Sequence, residues 1–398
     1  MTSFFIKYFA AAFTSVLPAA LLLLPLSAFA QAPALTAVSG PALKNQPLII
    51  SGSNFGSKLP AQPDTWDNFE GGQANTQING AFPVIGSSWQ DWVPAQCRTC
   101  CAPTYSSGRL RPGSLLSDAH YYPHYFGETP HCSSIALQRW LTASEYYFTF
   151  WMYYDKLTPA YSGNFKPWDM YGSSNDAPTS YAGVGDPLFG DGGLRSASQD
   201  YPQPAQPTIW GNRGITDMVG KWVRMETYLK QSSPNVADGA YQVWLHTGSA
   251  GDVTTPTMSD TTFMSRTTSN FWRQLMFGWY NHCRRLANGS CDPAEEAEHT
   301  ARIYFDDIYL DTTRARVEIC DAATRASSTR CEIQIPTGWS ASEITVQVNQ
   351  GAFPAGSAAF LYVINAQGNS NSSGLQITFG AAGDTTAPSS PSNLRTGG

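Results

Sequence analysis

The sequence predicts an all-β protein of two sandwiches, one inserted into the other, and three observations predict it. The segment GKWVRMETYLK (220–230) alternates: Val223, Met225, Thr227 and Leu229 fall on one side, and Trp222, Arg224, Glu226, Tyr228 and Lys230 on the other. Successive strand side chains point to opposite faces, so this is a strand with one apolar and one charged, aromatic face. Segments of helical period are nearly missing, with 293–300 as one short candidate. Finally, strand-like runs at the two ends of the chain, 32–60 and 314–380, together have the length of one sandwich, while the first is too short to bury a core by itself.

In chain order, residues 1–30 read as a secretory signal peptide: Lys7, an apolar run over 19–26, and Ala28, Phe29 and Ala30 ahead of Gln31. The run is short of a membrane span and carries Pro18 and Pro25, and no Cys follows it to anchor a lipid. The mature chain is expected to be secreted, extracellular or periplasmic. The full chain's formal net charge is −6, near −7 once Lys7 leaves with the signal, with no basic cluster, which argues against a nucleic-acid partner. Abundant Trp, Tyr, Phe, Gly and Pro beside only 14% charged residues suit a loop-rich exported β protein with aromatic platforms.

Residues 33–39 are extended, and 47–57 give a strand ending in SGSNFG. An aromatic strand is expected at 144–155, another at 164–172, and an irregular Gly/Pro/Asp/Ser-rich stretch from 173 to 212 that covers or rims the sheet. After 220–230, GAYQVWLH (239–246) follows turn chemistry at 235–239 and reads as the hairpin partner. Further strands are expected at 271–282, 301–311, 315–320, 330–339, 343–349, 358–365 and 374–379, and a disordered tail over 381–398.

Eight cysteines in an exported chain favour disulfides: Cys97, Cys100, Cys101, Cys132, Cys283, Cys291, Cys320 and Cys331. Cys283 with Cys291, and Cys320 with Cys331, would close local loops, leaving the other four to pair among themselves. A zinc site using His120, His124 and His131 is the alternative for those four, but their spacing fits no zinc module.

The corner SGSNFG at the start, with the strands of 314–380 and the NAQGNSNSSG hairpin, resembles the IPT/TIG immunoglobulin-like family. The resemblance implies a discontinuous immunoglobulin-like sandwich made of 32–60 and 314–380, with 62–313 inserted. Within the insert, the aromatic strand, KWVRMETYLK, DGAYQVWL and RIYFDDIYLD resemble the concanavalin A-like jelly-roll superfamily, polysaccharide lyases in particular. TAPSSPSNL, near the end, looks like a linker introducing a fibronectin type III domain.

The jelly-roll resemblance implies a concave groove, and alternation nominates its lining. Arg224, Glu226 and Tyr228 come from 221–230; Tyr280 and His282 from 271–282; Tyr304 and Asp306 from 302–311; and Trp151 and Tyr153 from 145–155, with Lys166 and Trp168 at the rim. A uronate lyase would need a cation, a base and a Tyr acid, for which Arg224, His282, Tyr280 and Tyr304 are of suitable type. The paired-carboxylate ExDxE strand of retaining glucanases is missing, with Glu226 standing alone. Alternatives stay open: Arg224 and Glu226 can pair with charges on neighbouring strands, and Trp151, Tyr153 and Trp168 can be partly buried core. No cofactor is expected. A structural Ca²⁺ at Asp306 and Asp307 would need a bulge, and loop capping is the other role for that pair. The expected function is binding of extracellular polysaccharide or cell-surface glycan in the groove. The alternatives are β-elimination on a uronic-acid polymer, or a structural role as adhesin, matrix or filament subunit.

Overall fold

The computed structural model describes residues 31–91, 102–121, 137–140, 143–155, 165–172, 179–184, 193–199, 210–269, 272–281 and 302–380. The expected signal peptide, tail and short helix at 293–300, and every cysteine but Cys320 and Cys331, lie outside them, as do His124, His131 and His282. Among the described residues the fold is all-β, with short 3₁₀ turns at Ile215–Asp217 and Arg325–Ser327.

One sheet joins the two ends of the chain. Its order is β1 (Ala34–Ser39), β2 (Pro47–Ser53), β20 (Glu343–Gln347), β19 (Cys331–Trp339), β18 (Arg316–Cys320), β21 (Ala358–Ile364) and β22 (Leu375–Thr378). The long strand β19 pairs with β18 through Cys331–Gln334 and with β20 through Ile335–Trp339, so it passes from one layer to the other. Leu48 and Ile50 from one layer and Val317, Ile319, Leu361 and Val363 from the other then share one core. Early and late segments are thus hydrogen-bonded directly, Leu48 opposite Val346 and Ile50 opposite Ile344.

The middle of the chain forms a jelly-roll sandwich of two sheets. The eight-stranded sheet runs β15 (Met258–Phe263), β14 (Gly239–His246), β13 (Trp222–Lys230), β8 (Glu145–Tyr154), β17 (Arg302–Asp311), β6 (Ser117–Tyr121) and β5 (Thr104–Ser106), with β3 (Thr65–Asp67) also on β17. The seven-stranded sheet runs β12 (Trp210–Gly214), β11 (Gly193–Gln199), β10 (Thr179–Val184), β9 (Phe165–Gly172), β16 (Trp272–Asn281), β7 (Leu137–Trp140) and β4 (Gln90–Asp91). Between them lies an aromatic core including Phe148, Phe150, Trp168, Val223, Met225, Leu275, Phe277, Ile303 and Phe305. Edge-on ring pairs such as Phe148 with Trp168, 5.1 Å between centroids, lock these strands face to face.

Two expectations are corrected. The stretch expected to be irregular, 173–212, contains β10, β11 and part of β12, which extend the seven-stranded sheet. Its small residues (TSYAGV, GLRSASQ) pair by backbone but show little hydrophobic alternation. Secondly, the strand at 271–282 belongs to the other sheet from 221–230 and 302–311. A single groove lined by all three therefore does not form.

Candidate functional site

The face of the eight-stranded sheet expected to hold a guest is built as alternation requires. Val223, Met225 and Leu229 enter the core, and Arg224, Glu226 and Tyr228 turn the other way. That other face is covered by the chain's own β18 and β19. Arg224 donates from Nη2 to Glu318 Oε1 (2.8 Å), from Nη1 to the Cys331 carbonyl (3.1 Å) and from Nε to Thr149 Oγ1 (2.8 Å). Arg316 donates to Glu226 Oε1 at 2.7 Å, and Arg325 to Glu318 Oε2 at 2.7 Å. His246 Nε2 lies 3.4 Å from Glu226 Oε2. Arg316 also stacks over Tyr147 (4.4 Å), and Arg314 over Tyr228 (4.3 Å).

Arg224 and Glu226 are each only 1% exposed, and Tyr228 is 7% exposed. Burial alone would raise the carboxyl of Glu226, but the Arg316 guanidinium overcomes it and holds the group down at about 2. Glu318 is likewise held well below the carboxylate range, by Arg325, Arg316 and Arg224 against the effect of burial. The imidazole of His246 is pushed down by burial despite Glu226. These groups carry an interface between two parts of the same chain, so the expected ligand role of Arg224, Glu226 and Tyr228 is corrected to a structural one. The sequence held a sign of it: R-x-E occurs on both facing strands, Arg224 and Glu226 on β13, Arg316 and Glu318 on β18.

A second buried cluster adjoins it. Arg111 pairs with Asp307 and donates to both oxygens of Glu332 at 2.7 and 2.8 Å, while its guanidinium lies 4.1 Å from the ring of Trp151. Trp151 Nε1 donates to Glu332 Oε2 at 3.2 Å. Trp151 is thus a clamp on the terminal sandwich, where a sugar platform was expected. Asp306 and Asp307 do sit on a bulge of β17, with Asp307 at φ 50°. Asp306 Oδ2 accepts from Ser114, and Asp307 Oδ2 from Asn349. The positive charge a calcium ion would bring beside Asp307 is already supplied by Arg111, so this donor set does not fit the ion. Asp306, fully buried, is no groove residue either.

Tyr153 and Tyr304 occupy the end of the same face, in one row with Trp222 across β13, β8 and β17. The ring of Tyr153 lies 5.7 Å from Trp222 and 6.2 Å from Tyr304, with Arg109 stacked at 5.0 Å and itself paired with Asp155. Tyr153 and Trp222 are half-buried, and Tyr304 is buried. Trp168, expected at the rim, is fully buried in the core against Phe148. Arg224 and Tyr304 on one sheet and Tyr280 on the other therefore do not assemble as a catalytic set, and His282 lies outside the described residues.

The outer face of the seven-stranded sheet offers a different constellation. Since Trp168, Met170, Leu275 and Phe277 face the core, the alternate positions Asp169, Tyr171, Gln274 and Met276 belong to the outer face. Register aligns them in rows: Tyr171, Gln274 and Trp140 in one, and Tyr181, Asp169, Met276, Gln138 and Gln90 in the next. Lys166 and Tyr280, both nominated from sequence, are direct cross-strand partners on these same strands. Tyr171 and Gln274 are half-buried, and Asp169 and Met276 fully buried. Asp169, Tyr171 and Gln274 were missed from sequence. The alternation of 165–172 would have shown the first two once Trp168 was placed inside.

Among solved structures the chain is similar to alginate lyase Aly36B, at 11% identity and TM-score 0.39, covering 56% of this chain and 86% of that one. It is similar to the marine PL-14 alginate lyase from Aplysia kurodai, at 10% identity and TM-score 0.37, covering 53% and 87%. The cellulose-induced protein Cip1 matches at 13% identity and TM-score 0.38, covering 62% and 97%. No protein-family model and no curated protein matches the chain. At such identities, and with TM-scores below 0.5, these likenesses assign neither activity nor residue roles.

Proposed function

We propose that the chain is an exported carbohydrate-binding protein that holds a polysaccharide on the outer face of its seven-stranded sheet. One observation carries this reading. The polar face of the eight-stranded sheet is closed by the chain's own β18 and β19, while on the opposite outer face the half-buried Tyr171 and Gln274 are cross-strand neighbours on β9 and β16. A ring stacks on a sugar face and an amide holds hydroxyls, so this pair suits a sugar. The sheet joining the two ends of the chain is read as an immunoglobulin-like sandwich of the IPT/TIG type that buttresses the jelly roll.

A glycan array over neutral and acidic polysaccharides tests this. Binding is expected, falling at least tenfold in a Tyr171→Ala/Gln274→Ala double variant, about 1.4 kcal/mol or more. No binding to any polysaccharide, or a double variant that binds as well as the parent, would overturn it.

A second reading is β-elimination on a uronic-acid polymer, which needs a cation, a base and a Tyr acid; Lys166 and Tyr280, in register across β9 and β16, are of suitable type for two of these. Incubation with alginate, glucuronan and pectin, followed by absorbance of the unsaturated product, decides it. No absorbance with any of the three removes the lyase reading and leaves binding.

A further inference from the structure

The inserted jelly roll leaves and rejoins the terminal sandwich through two segments, and each places one reactive group in the same buried spot. Lys58 lies between β2 and β3, on the outgoing segment, and Asp311 ends β17, on the returning one. Lys58 Nζ is 2.8 Å from Asp311 Oδ2, with side-chain exposures of 0% and 5%. The amine also donates to the carbonyl oxygens of Pro60 and Ala61. With two N–H groups on carbonyls, the third direction of the nitrogen faces the carboxyl group: an N–H in the ammonium form, the lone pair once the amine is neutral. That carboxyl is held from both sides: the Thr312 amide donates to Oδ1 at 2.8 Å and the Tyr309 hydroxyl to Oδ2 at 2.8 Å.

We propose that Lys58 and Asp311 condense, without an enzyme, to an isopeptide bond that ties the exit of the inserted part to its return. Lys58 Nζ attacks Cγ of the protonated Asp311. A new N–C bond forms, negative charge gathers on Oδ1 beside the Thr312 N–H, and Oδ2 departs as water, taking a proton passed through the Tyr309 hydroxyl and leaving the amide. One amine hydrogen and the carboxyl OH make that water, so no oxidant or other reactant is needed.

The electrostatics of the site agree with this geometry. Burial lowers Lys58 against the pull of Asp311, and burial raises Asp311 against the pull of Lys58, so both shifts favour the neutral amine and acid that must react. Tyr309, raised well above its usual range by burial and Asp311, keeps the proton it has to give. Fixing two such groups at contact distance equals an effective concentration of about 10⁵–10⁸ M in well-oriented cases, and a buried site lets the released water leave the equilibrium.

The test is peptide mapping of the full chain, purified after export, then reduced, denatured and digested with trypsin. The expected product is one branched peptide in which 45–98, uncut after Lys58, is joined to 303–314, with a mass about 18 Da below the sum of the two, the mass of the water expelled in acyl transfer to an amine. Two linear products with normal cleavage after Lys58 would overturn the proposal. Lys58→Arg keeps a cation at the site and should give no branched peptide. Should that variant fail to fold, Tyr309→Phe keeps the reading testable. Its branched fraction should accumulate at least about tenfold more slowly after synthesis, in line with loss of a general acid, and a parent-like rate would count against the assigned role of Tyr309.

Discussion

Glu318 accepts from Arg224, Arg316 and Arg325 while fully buried, and Glu226 accepts from Arg316 with His246 beside it. Removing one member of such a set costs about 3–5 kcal/mol because its partners are left charged and buried. The exposed pair Arg109 and Asp155, with the Arg side chain 47% exposed, contributes at most about 1 kcal/mol. The buried set also fixes a pH dependence. The folded-state pKa of Glu226, about 2, lies below its ordinary 4.5. Its contribution is therefore complete above pH 4.5 and lost as pH falls towards 2. Asp67 works the other way: burial, against the Trp89 hydrogen bond, raises it to about 7, so its protonation favours the fold as pH drops. The informative quantity is thus a difference. The parent chain should be more stable to urea than Glu226→Gln above pH 4.5, and the gap should close between pH 4.5 and 2. A gap that stays constant across that range would show that Glu226 is not held ionised by Arg316.

At the scale of the strand, what could be read from sequence was the face and not the neighbour. Alternation placed Val223, Met225, Phe148, Phe150, Ile303 and Phe305 inside, and all of them are core. It could not say that β16 pairs with β9 and β7 while β13 pairs with β8 and β14, because pairing is decided by contacts far apart in sequence. Arg224 and Tyr280 therefore looked like one site and stand on different sheets. The β17 bulge is another case: a register shift between Asp306 and Tyr309 is set by the partner strand and leaves no mark in RIYFDDIYLD. The cysteines were more legible. Cys320 and Cys331 are cross-strand partners of β18 and β19 and form a disulfide, buried at the edge of the charged interface. Closing so short a loop restricts the unfolded chain by about 2–3 kcal/mol. The double variant Cys320→Ser/Cys331→Ser should lose that much in denaturant titration. A loss near zero would mean that the β18–β19 hairpin is already ordered in the unfolded ensemble.

For the whole molecule, the decisive feature is that the inserted jelly roll and the sandwich of the chain ends share a buried surface. Trp66, Tyr147 and Tyr309 pack on Ile333 and Ile335. Fully burying an aromatic or aliphatic side chain contributes about 1.5–3 kcal/mol, so this patch adds several kcal/mol to the ion pairs around it. Separating the two parts would return Arg224, Arg316, Glu226 and Glu318 to water but expose this apolar patch on both sides. The shared apolar surface thus couples the two cores: neither keeps it covered once the other has opened. Calorimetry of the full chain should accordingly show a single unfolding transition, with calorimetric and van't Hoff enthalpies that agree. Two resolved transitions would mean that the interface contributes little. The jelly roll would then hold its outer charges in water, and the polar face of β13 would become open to a guest after all.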